Sequence, residues 1–267
     1  MARRSSSGVR SCIVPLCGVA CAVAAPSNVR AEDALTVTAD AESAESALTV
    51  GAEVDVPSRS ISRGVALNAG PAIQPSAWVA TSGASITAWT SFDPALASET
   101  RHRPTDFNGV LAYDGTLGPV TLAPSATWIT FPGLAGAPQS VELALDTNVE
   151  AGPVSLCVSN VADVLAFTGA WYVRAGVCTE HTFSTRWVAT ADAVAGGGNR
   201  RYHEANAGVS TTGLGHAEAN VGLTVPAPGG AYLRLHATCS RLVHPALIAA
   251  ATEPTLVVGG LAVGAEM

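Results

Sequence analysis

Charge is the scarcest resource in this sequence. Only 13% of its 267 residues are Asp, Glu, Lys or Arg, about half the share usual in a soluble globular domain. So little charge cannot coat the water-facing surface of a domain this large. Disorder is excluded from the other side, because 48% of the chain is hydrophobic and a disordered chain is poor in such residues. Lysine is absent altogether: all fourteen basic residues are Arg, and Arg3, Arg4 and Arg10 are spent at the start of a chain whose net charge is −7. That balance gives nucleic acid no basic surface to bind. Long apolar runs are also missing, since beyond residue 26 no stretch of about 18 residues escapes interruption by Gly, Ser, Thr or charge. Transmembrane helices are therefore excluded from the mature chain.

Cysteine is sparse where it matters. Three of the six lie in the first 21 residues, leaving Cys157, Cys178 and Cys239, an odd number without metal-ligand spacing. A Cys157–Cys178 or Cys178–Cys239 bridge is open to an oxidising compartment, but these positions read first as small buried apolar residues. The early cysteines belong to an export signal: three Arg, then the apolar run Cys12 to Pro26, then Val29-Arg30-Ala31 before Glu32. Residues 1–31 are expected to be removed after Ala31, and 32–46, acidic and rich in Ala and Ser, to form a flexible leader.

What the chain does have is alternation. From Leu48 to Val56 the residues Leu48, Val50, Ala52, Val54 and Val56 interleave with Thr49, Gly51, Glu53 and Asp55, a period of two that marks a strand with one apolar face. The pattern recurs between turn-forming residues. It predicts further strands near 72–82, 84–92, 107–116, 119–131, 139–149, 153–161, 165–178, 181–191, 213–226, 231–243 and 255–267, about twelve in all. Many exceed the five or six residues of a typical soluble strand and match the 9 to 11 that cross a bilayer with tilt.

In a water-soluble sandwich the polar face would carry most of the charge; here it holds a few charged residues per strand. Strands can span lipid only as a closed barrel, which satisfies every backbone group, with apolar residues outside and a polar interior. The fold class expected is thus all-β, a transmembrane antiparallel up-and-down barrel over residues 47–267. Connection lengths agree: Thr81-Ser82-Gly83, 115–119, 150–152 and 226–230 are short, whereas 58–71, 94–106 and 195–212 are long. Outer-membrane barrels keep short turns periplasmic and long loops outside.

Residues 58–76 carry a more specific signal. Ser58-Arg59 followed by Arg63-Gly64, then Gly70-Pro71 with Gln74-Pro75-Ser76, and later Thr130-Phe131-Pro132-Gly133, resemble the TorF family of outer-membrane porins, over about residues 47–267. The resemblance implies an outer-membrane location and a pore. The chain departs from that family in two ways: Tyr and Phe expected along the strands are largely Ala and Val, and the last residue is Met267 where an aromatic is part of the usual insertion signal read by the barrel-assembly machinery. Trp78, Trp89, Trp128, Trp171 and Trp187 are the candidates for interface anchors, with packing as the alternative for each.

No nucleophilic triad, paired carboxylate site or metal cluster has a recognisable spacing. Gly196-Gly197-Gly198 lacks the Lys and helix of a phosphate loop, and the six His are too dispersed to read as ligands, with His102 and Asp106, or His203 and Glu204, as the alternative of part of a surface site. No enzyme and no cofactor are expected. The candidate functional set is the charge on the polar face: Glu53, Asp55, Glu142, Asp146, Arg174, Arg186, Glu218, Arg234 and His236. These either line a water-filled lumen and set its charge preference or pair with one another and fill it. Arg59 and Arg63, at the end of the first hairpin, either fold inward as constriction residues or bind lipopolysaccharide phosphates. The partners expected are outer-membrane lipid, lipopolysaccharide and small solutes. A closed barrel whose loops bind a ligand, and a secreted β-sandwich, are the alternatives.

The faces of the first strand supply a test. Val54→Arg should block insertion or cost about 2–4 kcal/mol where it faces lipid, and Thr49→Arg should be milder; equal loss of folded, membrane-extracted protein for both would refute the assignment of faces.

Overall fold

The structure is a computed structural model that describes residues 48–94, 104–183 and 187–267. The strands are β1 (Thr49–Pro57), β2 (Ile61–Ser62), β3 (Val65–Ala66), β4 (Gln74–Thr81), β5 (Ala84–Ser91), β6 (Asp106–Tyr113), β7 (Gly115–Leu117) and β8 (Val120–Thr130). They continue as β9 (Ser140–Ala151), β10 (Val154–Asp163), β11 (Trp171–Phe183), β12 (Trp187–Gly198), β13 (Gly213–Pro226), β14 (Ala231–Leu242) and β15 (Thr255–Glu266). Two short helices, α1 (Arg200–Ala207) and α2 (Pro245–Ala250), lie in connections.

Every consecutive pair in the wall is antiparallel, and the ring closes where β1 pairs with β15, Val54 opposite Val263, while β6 pairs directly with β8, Gly109 opposite Trp128. The short β7 continues β6 past Asp114 and pairs with β8 in the same register, so twelve strands make one closed up-and-down barrel, with β2 and β3 a separate small hairpin. Closure leaves no edge strand with unpaired backbone groups. The connections at one end are tight: Ser82-Gly83, Gly118-Pro119 and Gly152-Pro153 separate paired strands. At the other end stand the long connections 58–73, 131–139, 164–170, 199–212 and 243–254.

The distribution of side chains is the reverse of a soluble core. Val54, Val79, Ile86, Leu111, Leu143, Leu156, Val221, Leu235 and Val263 are exposed, and register puts them all on the outward face. On the outward positions of the described strands only His181 and Arg241, both near strand ends, are ionisable other than Cys and Tyr. Buried positions include Asn108, Ser140, Glu142, Ser159, Asp163, His216 and Ser240.

Most strand expectations match within a few residues, and β13 matches at both ends. Two are corrected. The strands read at 165–178 and 181–191 run instead from Trp171 to Phe183 and from Trp187 to Gly198. Residues 164–170 are held as a loop by Asp163, whose carboxylate accepts the backbone N–H of Leu165 and Phe167 at 3.0 and 2.9 Å and the Ser140 hydroxyl. The connection read at 195–212 begins later, and 200–207 is helical: the Asn199 side chain caps its start by accepting from Tyr202 N at 3.0 Å, and Gly208 ends it at φ 65°. The signal and leader, 1–31 and 32–46, lie outside the described residues.

The cysteines are free, as first read, but less buried than expected. All three are free thiols; Cys157 and Cys178 are half-buried on the inward face and Cys239 is exposed on the outward one. Trp78 is buried inside the barrel, whereas Trp128, Trp171 and Trp187 are about half exposed on the outer face.

Inward-facing Gly260 and Gly264 of β15 carry a structural load. A Cβ at Gly260 would lie 2.2 Å from His236 Nε2, and one at Gly264 would lie 2.4 Å from the Tyr232 ring. Without side chains there, residues of β14 reach across β15 to β1. Gly260→Val should therefore lower thermal stability by about 1–3 kcal/mol through overpacking, while Gly259→Val, next to it on the outward face with its nearest neighbour at 3.8 Å, should be nearly neutral; equal melting shifts for the two would count against this packing.

Candidate functional site

The site is the interior of the barrel, and its walls are built by parity. Register sets Glu53 opposite Gly264 and Asp55 opposite Ala262, with Tyr232 and Arg234 on the far side of the same residues. Across that gap Tyr232 Oη donates to Glu53 Oε2 at 2.9 Å, Arg234 pairs with Glu53, and His236 Nε2 meets Asp55 Oδ1 at 2.9 Å. Four of the expected interior residues thus form two pairs flat against the wall. Trp78 is laid down in the same manner over Gly51, where a Cβ would be 2.2 Å from its ring, and its Nε1 donates to Glu266 at 3.3 Å.

The remaining expected residues separate. Asp146, Arg174 and Glu218 are on the inward face, with Ser159 opposite both Asp146 and Arg174, yet none of the three has an ion-pair partner among the described residues. Glu218 accepts from Asn220 Nδ2 at 3.0 Å, and the same amide donates to Asp192 at 2.8 Å, while Asn220 Oδ1 takes the Thr238 hydroxyl at 2.6 Å. Asp192 was missed because its strand was read out of place, ending at 191, whereas Asn220, on a strand read correctly, was left out because the candidate set was chosen by charge. Arg186 lies outside the described residues, as does His102.

At the long-loop end the connection 58–73 turns into the barrel. Arg63 and Gly64 are the two central residues of the β2–β3 hairpin, with φ 49° and 85°, the signature of a primed two-residue turn. A side chain on Gly64 would collide with His216 Cβ at 2.7 Å, so the hairpin tip rests directly on β13. Arg63, unusual in a left-handed conformation, is held there by Glu142: Nη1 and Nη2 donate to the two carboxylate oxygens at 3.0 and 2.7 Å. Both side chains are buried, at 9% and 7% exposure. The guanidinium lies 4.7 Å from the Tyr172 ring and 5.7 Å from that of Tyr202, within cation–π range. Burial pushes the Tyr202 phenol above its usual pKa range against the opposing pull of Arg63, so it stays neutral.

The other segment residues serve the same inward fold. Gln74 Nε2 donates to Ser60 Oγ at 3.0 Å and Ser60 N to Asn68 Oδ1 at 2.7 Å, while Arg59 pairs with Glu253 in the β14–β15 connection. Pro57 accepts the Ala72 N–H at 3.1 Å, closing the loop beside Gly70-Pro71. Ser58 Oγ accepts from Gly259 N at 3.2 Å. Pro75 faces outward opposite Val54. Arg59 and Arg63 are thus both engaged within the chain, a choice the sequence left open.

No protein-family model and no curated relative matches this chain. Among solved structures it is similar to the KdgM porin in complex with disordered oligogalacturonate, at 6% identity and TM-score 0.47, covering 82% of this chain and 97% of that one. It is likewise similar to the NanC porin, at 11% identity and TM-score 0.47 over 80% and 97%. An outer membrane channel from Pseudomonas putida F1 follows at 9% identity and TM-score 0.46, over 87% and 100%.

The buried pair makes a local prediction. Glu142→Ala strands a buried guanidinium, a change of about 3–5 kcal/mol, so the hairpin should leave the lumen and trypsin should cut after Arg63. Continued protection of that bond in the variant would show that Glu142 does not hold the hairpin.

Proposed function

We propose that the chain is a bacterial outer-membrane barrel, of the kind the TorF resemblance implies, that lets small hydrophilic solutes diffuse through its lumen without catalysis or a cofactor. One observation carries the reading: large apolar side chains are exposed around the ring while Ser, Asn, Asp, Glu, Arg and His face inward. A soluble protein rarely exposes an apolar surface that extends around its whole circumference, and a lipid-facing barrel requires one. The export signal at 1–31 and assembly by the barrel-insertion machinery belong to the same reading, as do lipid and lipopolysaccharide as surroundings.

Charge decides which solutes are favoured. Arg63, Arg234 and His236 are each matched by a carboxylate. Among the described residues, inward Asp146, Glu150, Asp192, Glu218 and Glu266 have no ion pair, against Arg174 alone on the basic side. An acid-rich aqueous lumen favours cations. The inward hairpin with its buried Arg63–Glu142 pair favours a second reading, a barrel closed at the loop end, in which the loops are the functional surface.

Conductance separates the two. The purified full chain in planar bilayers should give ohmic steps with cation preference, and Arg174→Gln should increase that preference without loss of folded protein. Arg234→Gln should act differently, destabilising the barrel by exposing Glu53 to an unpaired interior. Absence of conductance in the wild type together with steps in Glu142→Ala would favour the closed barrel, and protein found in the soluble periplasm would overturn both.

A further inference from the structure

Two of the three cysteines meet on the inner wall, and solute diffusion makes no use of them. Cys157 on β10 and Cys178 on β11 both face inward. Register sets Cys157 opposite Gly176 and Cys178 opposite Ser155, so the thiols are diagonal neighbours on one face, and Gly176 has no side chain to part them. The Cys178 side chain leans over β10. Its Sγ lies 3.7 Å from the Ser155 carbonyl oxygen and 3.8 Å from Oδ1 of Asn148 on β9. Asn148 is itself the residue opposite Cys157, so in reaching it Cys178 comes against the Cys157 thiol, with which it interacts directly.

Backbone geometry works against a disulfide here. Diagonal residues on antiparallel strands have Cα atoms about 7–8 Å apart, and beyond about 7 Å two cysteines are bridged only if the backbone moves. Ladders to β9 and β11 hold β10 on both sides, so that movement would break wall hydrogen bonds. A metal ion between the sulfurs demands less approach: two bonds of about 2.3 Å each span more than the roughly 2.05 Å of an S–S bond. Ligand number then selects the metal. Among the described residues no group of three or more His, Cys, Asp or Glu is placed to hold a metal ion, and Asp192, opposite Cys178, is turned to the Asn220 amide. Zinc, which takes four ligands in structural sites, is not served. A soft monovalent ion is satisfied by two thiolates in line, and thiolate is the ligand type that selects Cu(I) over harder cations.

We infer that Cys157 and Cys178 form a two-coordinate site for a soft monovalent metal ion, Cu(I), on the inner wall of the barrel. Each thiol passes its proton to water as its S–Cu bond forms, and the metal keeps its oxidation state, so no oxidant or reductant enters the step. The inference needs the register of β9, β10 and β11 but not an open pore, so it stands or falls apart from conductance.

The test is titration of Cu(I), kept reduced by ascorbate under argon, into the purified full chain in detergent against bicinchoninate, whose coloured Cu(I) complex reports the metal the protein leaves free. One Cu(I) per chain should be withheld from the dye, and excess Zn(II) should not displace it. Cys157→Ser and Cys178→Ser should each lower the affinity by more than the roughly 10–100-fold that outer-shell changes cost. Cys239→Ser, on the outward face, should leave it unchanged, and the heat-modifiable barrel band on gels confirms that each variant is folded. No Cu(I) withheld by the folded wild type, unchanged affinity in either Cys157→Ser or Cys178→Ser, equal loss in Cys239→Ser, displacement by Zn(II), or a Cys157–Cys178 disulfide in the protein as isolated would each overturn the inference.

Discussion

Closure of the β-ring is the constraint from which the rest follows. Because β1 pairs with β15 along Gly51 to Pro57, every wall strand has a neighbour on both sides, and the backbone needs nothing from solvent on either face. The side chains are then free to sort by parity. Valine, leucine and alanine occupy the outward positions, and the inward ones take the hydroxyls, amides and charges that would be expensive in contact with lipid.

Within the ring, small residues govern how the large polar ones lie. Gly260, Ala262 and Gly264 let His236, Arg234 and Tyr232 extend across a whole strand to reach Asp55 and Glu53. The interaction is lateral, so matched charges reinforce the wall where β1 meets the end of the chain. That seam unites the two termini of the barrel, and a polar belt there ties together elements more than 170 residues apart, as in the Glu53–Tyr232 bond.

The Arg63–Glu142 pair does a different task. It secures a loop and not a strand, and the loop in turn roofs a cavity beside α1 and α2. Removing a buried pair's partner is far more damaging than the pair's net worth suggests, since the remaining charge has no water. The strained Arg63 conformation is maintained by the bidentate carboxylate and the two tyrosine rings.

The alternation of β1, β13, β14 and β15 was legible in the sequence because parity is a local property: each residue's face follows from its neighbours two positions away. The inward placement of Glu53, Asp55, Glu142, Asp146, Arg174, Glu218, Arg234 and His236 was legible for the same reason. The boundary between β11 and β12 was not, since the alternation itself does not mark where a strand begins, and only the ladder to β10 and the Asp163-bound loop set the first of the two six residues later. Nor was the fate of Arg63 readable. By itself the sequence determined a barrel of about twelve alternating strands and the two kinds of connection. Which charges meet, which lie unpaired, and that residues 58–73 turn inward were decided by tertiary structure, because those contacts depend on register across strands distant in the chain and on glycines whose neighbours no local pattern can reveal.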